Sequence, residues 1–135
     1  MKMRIFRSHK LWRDRAVDNT EADGSKVHWR HLDDAEFDQQ LRCKLLEESE
    51  EVCTATTHDD LASELADVCD VVDALCALHN IDKANIVALQ RKKYDERGGF
   101  DGRKFVETSQ HPEGSRGERI CLEQPHKYPE VLTEG

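Results

Sequence analysis

Glu47-Glu48-Ser49-Glu50-Glu51 is followed, with twelve residues between, by Glu64-Leu65-Ala66-Asp67. On a helix, residues three apart share a face, their Cβ atoms roughly 5–6 Å apart. Glu48 and Glu51 then form one carboxylate pair and Glu64 and Asp67 another. Acid pairs at this spacing are common on solvated helix faces. Here Glu48 falls at a position an apolar residue would occupy, and the second pair repeats the first. Four carboxylates drawn into one partly buried place repel each other and lose water, and protonation or cations must relieve that. Hard divalent cations with oxygen ligands are the natural relief. Mg²⁺ in particular keeps waters and takes substrate phosphates as further ligands.

The elements that must position these groups are helices. Asp33 is an N-cap with Glu36 as its reciprocal partner, and Leu32 and Phe37 occupy the staple positions. This first helix runs to about Thr54, with Phe37, Leu41, Leu45 and Val52 on one face and Glu48 set into that seam. A second helix starts near Thr57 or Asp59. Its stripe is Leu61, Leu65, Val68, Val72 and Leu75, and it carries Glu64, Asp67, Asp70 and Asp73. Asn80 is its left-handed stop. The short connector makes the two helices antiparallel neighbours. Packing by their stripes brings the acid pairs together. A third helix runs from the cap Asp82 to about Arg97, where Arg91, Lys92, Lys93 and Arg97 suit the negative end of its dipole, and Gly98-Gly99 stops it.

The flanks are less regular. Met3, Ile5 and Phe6 suggest an extended piece, residues 22–25 a turn and residues 27–32 a short strand. Beyond Phe105 the periodicity ends, and Pro112, Gly114, Gly117, Pro125 and Pro129 punctuate a polar tail with a short strand expected at 119–122. The expected class is all-α: an antiparallel helical bundle with a short irregular or β-like N-terminal segment and an irregular C-terminal tail. Residues 1–107 form the domain and 108–135 the tail.

Composition bounds the function. The chain has 135 residues, 36% charged and 37% hydrophobic, with net charge −8. That length suits one domain. No apolar run approaches the roughly 20 residues of a spanning helix. Residues 1–15 are basic without an apolar stretch of signal-peptide length, so the expected place is the cytoplasm, with no membrane partner. Residues 33–73 carry −12 and the rest +4, which excludes a nucleic-acid surface on the acidic block. Cys43, Cys53, Cys69, Cys76 and Cys121 form no C-x-x-C pair and are expected as small buried fillers. His28 and His31, on opposite sides of a strand, make no zinc pair. Glycine-rich phosphate loops are absent.

Taken together, Glu47, Glu48, Glu51, Glu64 and Asp67 resemble the motif of the MazG-like all-α nucleoside triphosphate pyrophosphatase superfamily. The resemblance is strongest to its small phosphoribosyl-ATP-pyrophosphohydrolase-like nucleoside triphosphate pyrophosphohydrolases, which open with a Lys-Leu-Val-Arg-Asp-Lys-type segment. Here that segment is Lys10-Leu11-Trp12-Arg13-Asp14-Arg15. Glu64-Leu65-Ala66-Asp67-Val68 and Arg97-Gly98-Gly99-Phe100 are similar too, and the likeness covers roughly residues 10–107. Ala16-Val17 stands where the family has Ile-Pro, and Trp12 where it has a small aliphatic.

The resemblance implies Mg²⁺-dependent hydrolysis of a nucleoside triphosphate to monophosphate and pyrophosphate, a house-cleaning reaction, with Mn²⁺ able to substitute. It implies a homodimer or higher homo-oligomer. Glu48, Glu51, Glu64 and Asp67 become the metal ligands, and Glu47 joins Glu48 and Glu51 as a catalytic carboxylate, by ligation, from outside the ligand shell or as a base. Asp70 extends the site or is a solvated acid. Lys10, Arg13, Lys92, Lys93 and Arg97 become the phosphate-binding cations. Two metals roughly 4 Å apart would activate water and stabilise the leaving pyrophosphate. Two alternatives stay open: phosphoribosyl-ATP as the substrate, or a non-catalytic acidic helical module that binds a partner.

Overall fold

The computed structural model describes residues 2–132, so residues 133–135 of the expected tail lie outside the described residues. Five helices form: α1 (Asp14–Glu21), α2 (Asp34–Thr54), α3 (His58–Leu78), α4 (Lys83–Arg97) and α5 (Arg116–Glu123). Among the described residues there is no strand, and the class is all-α. The chain divides into one compact unit ending at Glu96 and another beginning at Arg97.

Capping explains where the helices begin and end. The Asp33 carboxylate accepts the Glu36 N–H at 2.8 Å, starting α2 where its N-cap was expected. The Thr57 hydroxyl accepts the Asp60 N–H at 3.1 Å and starts α3. At the other end of α3, Asn80 adopts φ +53°. The Ile81 N–H then reaches the Cys76 carbonyl at 2.8 Å and the Asn80 N–H that of Ala77 at 3.4 Å, which is a Schellman closure. The Asp82 carboxylate takes the Ala84 N–H at 2.9 Å and opens α4.

Only residues 55–57 separate α2 from α3, and the two pack along their length. They run antiparallel: Asp38 near the start of α2 meets His79 just past the end of α3 at 2.5 Å, while Glu51 near the end of α2 lies beside Glu64 near the start of α3. Leu41, Val71 and Cys76 are the buried apolar side chains of this hairpin.

Four local expectations are corrected. The strand at 119–122 lies inside α5, because Ser115 accepts the Glu118 N–H at 3.3 Å and Glu118 in turn accepts that of Gly114. That reciprocal Ser-x-x-Glu pattern is a helix start. Residues 27–32 are irregular, held at Arg30 by a two-pronged pair with Glu36. Of the cysteines only Cys76 is buried, and Cys43, Cys53 and Cys69 are exposed. The α3 stripe is split as well. Val68 and Leu75 face inward, but Leu61, Leu65 and Val72 stay open on another side. No helix of the described residues is long and apolar enough to cross a membrane.

The Thr57 cap closes the turn that sets α3 against α2. Thr57→Ala is expected to lower stability by about 1 kcal/mol, with Thr57→Ser close to wild type; urea unfolding midpoints measure both.

Candidate metal centre

Glu48 and Glu51 stand one turn apart on α2, and Glu64 and Asp67 one turn apart on α3. Because the helices run antiparallel, both pairs face one place. One carboxylate oxygen from each of the four lies within 4.8 Å of the others. Glu48 is buried at 6% exposure, Glu64 and Asp67 are half-buried, and Glu51 is at the open side. The sequence puts Glu48 in the seam because the apolar period runs through it.

This crowding shows in the electrostatics. Burial pushes the Glu48 carboxyl above the usual carboxylate range, Glu51 beside it adds to the shift, and Lys44 works against it. Glu51 is raised chiefly by Glu64, with Glu48 acting in the opposite sense. Oε2 of Glu48 and Oε2 of Glu64 are buried without a hydrogen-bond partner. Two orphaned carboxyl oxygens in a buried site call for a proton or a cation. The donor set is oxygen throughout, which suits a hard divalent ion.

Three cationic side chains surround the cluster. Lys44 Nζ sits 3.4 Å from Glu48 Oε1 and 3.5 Å from Glu47 Oε1. Lys10 Nζ donates to Glu47 Oε1 at 3.1 Å. Arg13 Nη2 donates to both Asp67 Oδ1, at 2.6 Å, and Asp70 Oδ2, at 2.7 Å. Burial works to raise Glu47, yet Lys10 and Lys44 outweigh it and hold the group below its ordinary value. Arg13 is held more firmly charged by Asp70 and Asp67. The segment ahead of α1 therefore straps across the hairpin, gripping α2 through Lys10 and α3 through Arg13.

Each residue singled out in the sequence now has a place. Glu48, Glu51, Glu64 and Asp67 come together, with Lys10 and Arg13 against them. Glu47 is set apart from the four by its two lysines, and Asp70 reaches the site through Arg13. Lys92 and Lys93 are exposed on α4, and among the described residues no ion pair ties them to the cluster. Arg97 begins the second unit. Sequence reasoning passed over Lys44. Its signal was spacing, three and four residues before Glu47 and Glu48.

A family model described as phosphoribosyl-ATP pyrophosphohydrolase matches residues 24–93, just over half of the chain. The chain belongs to this family. Neither the curated proteins nor the solved structures contain a match to it. Membership of the phosphoribosyl-ATP pyrophosphohydrolase family brings a nucleotide pyrophosphohydrolase activity in general, and the family is typically metal-dependent. The matched stretch contains all four clustered carboxylates and Lys44, and it leaves out Lys10, Arg13 and Arg97.

A carboxyl group whose pKa is raised by folding favours the fold at pH below its unfolded value, and that benefit is lost as pH rises through the raised value. In EDTA, Glu48→Gln is thus expected to melt higher than wild type at alkaline pH, with the gap closing near about pH 4. Added Mg²⁺ should raise the wild-type melting temperature and leave that of Glu48→Gln nearly unmoved. Differential scanning calorimetry reads each arm.

Proposed function

We propose that this protein hydrolyses nucleoside triphosphates to a monophosphate and pyrophosphate, with Mg²⁺ held by Glu48, Glu51, Glu64 and Asp67, and that its role is house-cleaning of non-standard nucleotides. The observation that carries this reading is the four-carboxylate cluster with two orphaned oxygens, flanked by the cations of the N-terminal strap. When bound, the metal supplies an activated water and a charge that offsets the developing negative charge on the leaving phosphates. Mn²⁺ has the same ligand preference and serves in its place.

The chain's own residues do the rest. Carboxylates alone would repel a polyanionic substrate, so entry needs the cluster's charge inverted. Once the acids are satisfied otherwise, Arg13 and Lys10 no longer have Asp67, Asp70 and Glu47 as their only partners. Their donors then turn to the phosphates, Arg13 as a flat fork and Lys10 as a point charge. Lys44 stays against Glu48 and offsets its charge. Glu47, with Lys44 still beside it, is the acid left to orient or deprotonate water. Phosphoryl chemistry of this kind asks little covalent work of the protein, and positioning and charge carry it. Arg97, Lys92 and Lys93 are assigned to the outer phosphates on the family resemblance.

The segment from Lys10 to Arg15 supports nucleoside triphosphates over phosphoribosyl-ATP as substrate, since the resemblance there is to the former group. A homodimer is part of the reading. Leu61, Leu65 and Val72 on α3 and Val87 and Leu89 on α4 are exposed, while among the described residues only three apolar side chains are buried. A second copy covering them would supply the core that one copy lacks. Exposed free cysteines suit a reducing compartment such as the cytoplasm.

The test is pyrophosphate release from a panel of standard and modified nucleoside triphosphates and phosphoribosyl-ATP, with Mg²⁺ and with EDTA. Release from a nucleoside triphosphate that needs metal is expected. Glu48→Ala and Asp67→Ala should each lower kcat by about 10²–10³-fold, the scale for losing a main electrostatic stabiliser. Turnover of phosphoribosyl-ATP alone would replace the substrate. No turnover of any nucleotide by folded protein would leave the binding-module reading.

A further inference from the structure

A cleft of about 1160 Å³ opens between residues 8–18 and residues 27–40. Small-molecule sites usually enclose about 300–1,000 Å³, so a whole nucleoside fits within it. Its lining includes Trp12, Trp29, Phe37, His9, His28 and His31. The chain has two tryptophans, and both are here. Trp12 is 39% exposed and Trp29 60%. Large aromatic faces standing open inside a concavity are a stacking surface rather than a packed anchor.

Those faces are fixed. Trp12 Nε1 donates to Ser8 Oγ at 2.8 Å, which satisfies the polar edge of the indole and leaves its flat faces free. Trp29 meets His31 edge to face, with centroids 4.9 Å apart and planes at 78°. Both walls are tied to α2, one through Lys10 on Glu47 and the other through Arg30 on Glu36.

Position supplies the second argument. Lys10 lines the cleft and also bonds Glu47, the residue before Glu48 on α2, so the cleft reaches the edge of the acid cluster there. Along α2, Gln40 lines the cleft and Glu48 belongs to the cluster. Eight residues of helix advance roughly 12 Å, a span that an extended nucleoside triphosphate covers.

We infer that this cleft receives the base and sugar of the nucleotide, with Trp12 and Trp29 as the stacking surfaces that select a heteroaromatic base. This deepens the nucleotide reading above and rests on it. The phosphates then run past Lys10 toward the acid cluster. Base recognition by stacking accepts any planar base, and the histidines and Gln40 supply the polar edge contacts.

Because both tryptophans lie in the cleft, their fluorescence reports on it directly. The probes are standard and modified nucleoside monophosphates, which are products and cannot turn over, titrated with Mg²⁺ present. Ribose 5-phosphate is the base-free control. A saturable change with at least one monophosphate and none with ribose 5-phosphate is expected, and Trp12→Phe and Trp29→Phe should each remove part of the signal. With the preferred triphosphate, Trp12→Ala or Trp29→Ala should raise KM about tenfold or more, the scale for lost base stacking, with the loss falling on KM rather than kcat. No response to any monophosphate, or an equal response to ribose 5-phosphate, overturns the proposal. Metal-dependent turnover with a silent cleft defeats the cleft alone. A responsive cleft without turnover of any nucleotide defeats the pyrophosphohydrolase reading and leaves the cleft standing.

Discussion

Repulsion among four carboxylates, held close by two antiparallel helices, is the constraint around which the first unit is arranged. Each acid has a helical reason for its position, yet the sum is unfavourable without cations. Glu48 sits where a leucine would complete the α2 seam, so the hairpin gives up apolar contact there and buries an acid in its place. The chain answers with Lys44 from the same helix and with Lys10 and Arg13 from the strap. The Lys10 and Arg13 pairs are half-exposed and salt-screened, and each contributes little by itself, whereas Lys44–Glu48 is mostly buried. In the proposed function their value is placement: the strap brings donors for phosphate to the edge of the acids.

In the proposed function the same arrangement links the two ends of a nucleotide. One segment supplies Arg13 to α3, Lys10 to α2 and Trp12 to the cleft wall. A shift of this strap would move Lys10, Arg13 and Trp12 together. The hairpin is thin for such a task, with Leu41, Val71 and Cys76 as its buried apolar side chains. The open faces of α3 and α4 belong with a second copy in this account.

The hairpin was legible in the sequence because its signals are local and mutually consistent. Asp33, Thr57, Asn80 and Asp82 mark helix ends by cap chemistry that depends on a few neighbouring residues. The acid pairs were legible because three-residue spacing fixes a shared face. What was not legible depends on approach from elsewhere. No pattern says that Arg13 crosses to Asp67 and Asp70, or that the loop bearing Trp29 comes to line one cleft with Trp12. The strand expected at 27–32 failed because alternation over six residues is weak against an Arg30–Glu36 tie. The one expected at 119–122 failed because the Ser115–Glu118 pattern went unread. The exposed cysteines depart from the usual burial of that residue type, and their positions on outward faces of α2 and α3 follow from the inward turn of the acids.

The account stands on the acid cluster being a metal site rather than a solvated patch. Calorimetric titration of metal-free protein with Mn²⁺, in two buffers of different ionisation enthalpy, tests this most directly. Saturable binding is expected, with proton release that grows as the pH is lowered toward the range in which the raised carboxyl groups titrate. Glu48→Gln is expected to abolish both the binding and the proton release. Weak binding without proton release, screened away by moderate salt and unchanged in Glu48→Gln, would contradict the account.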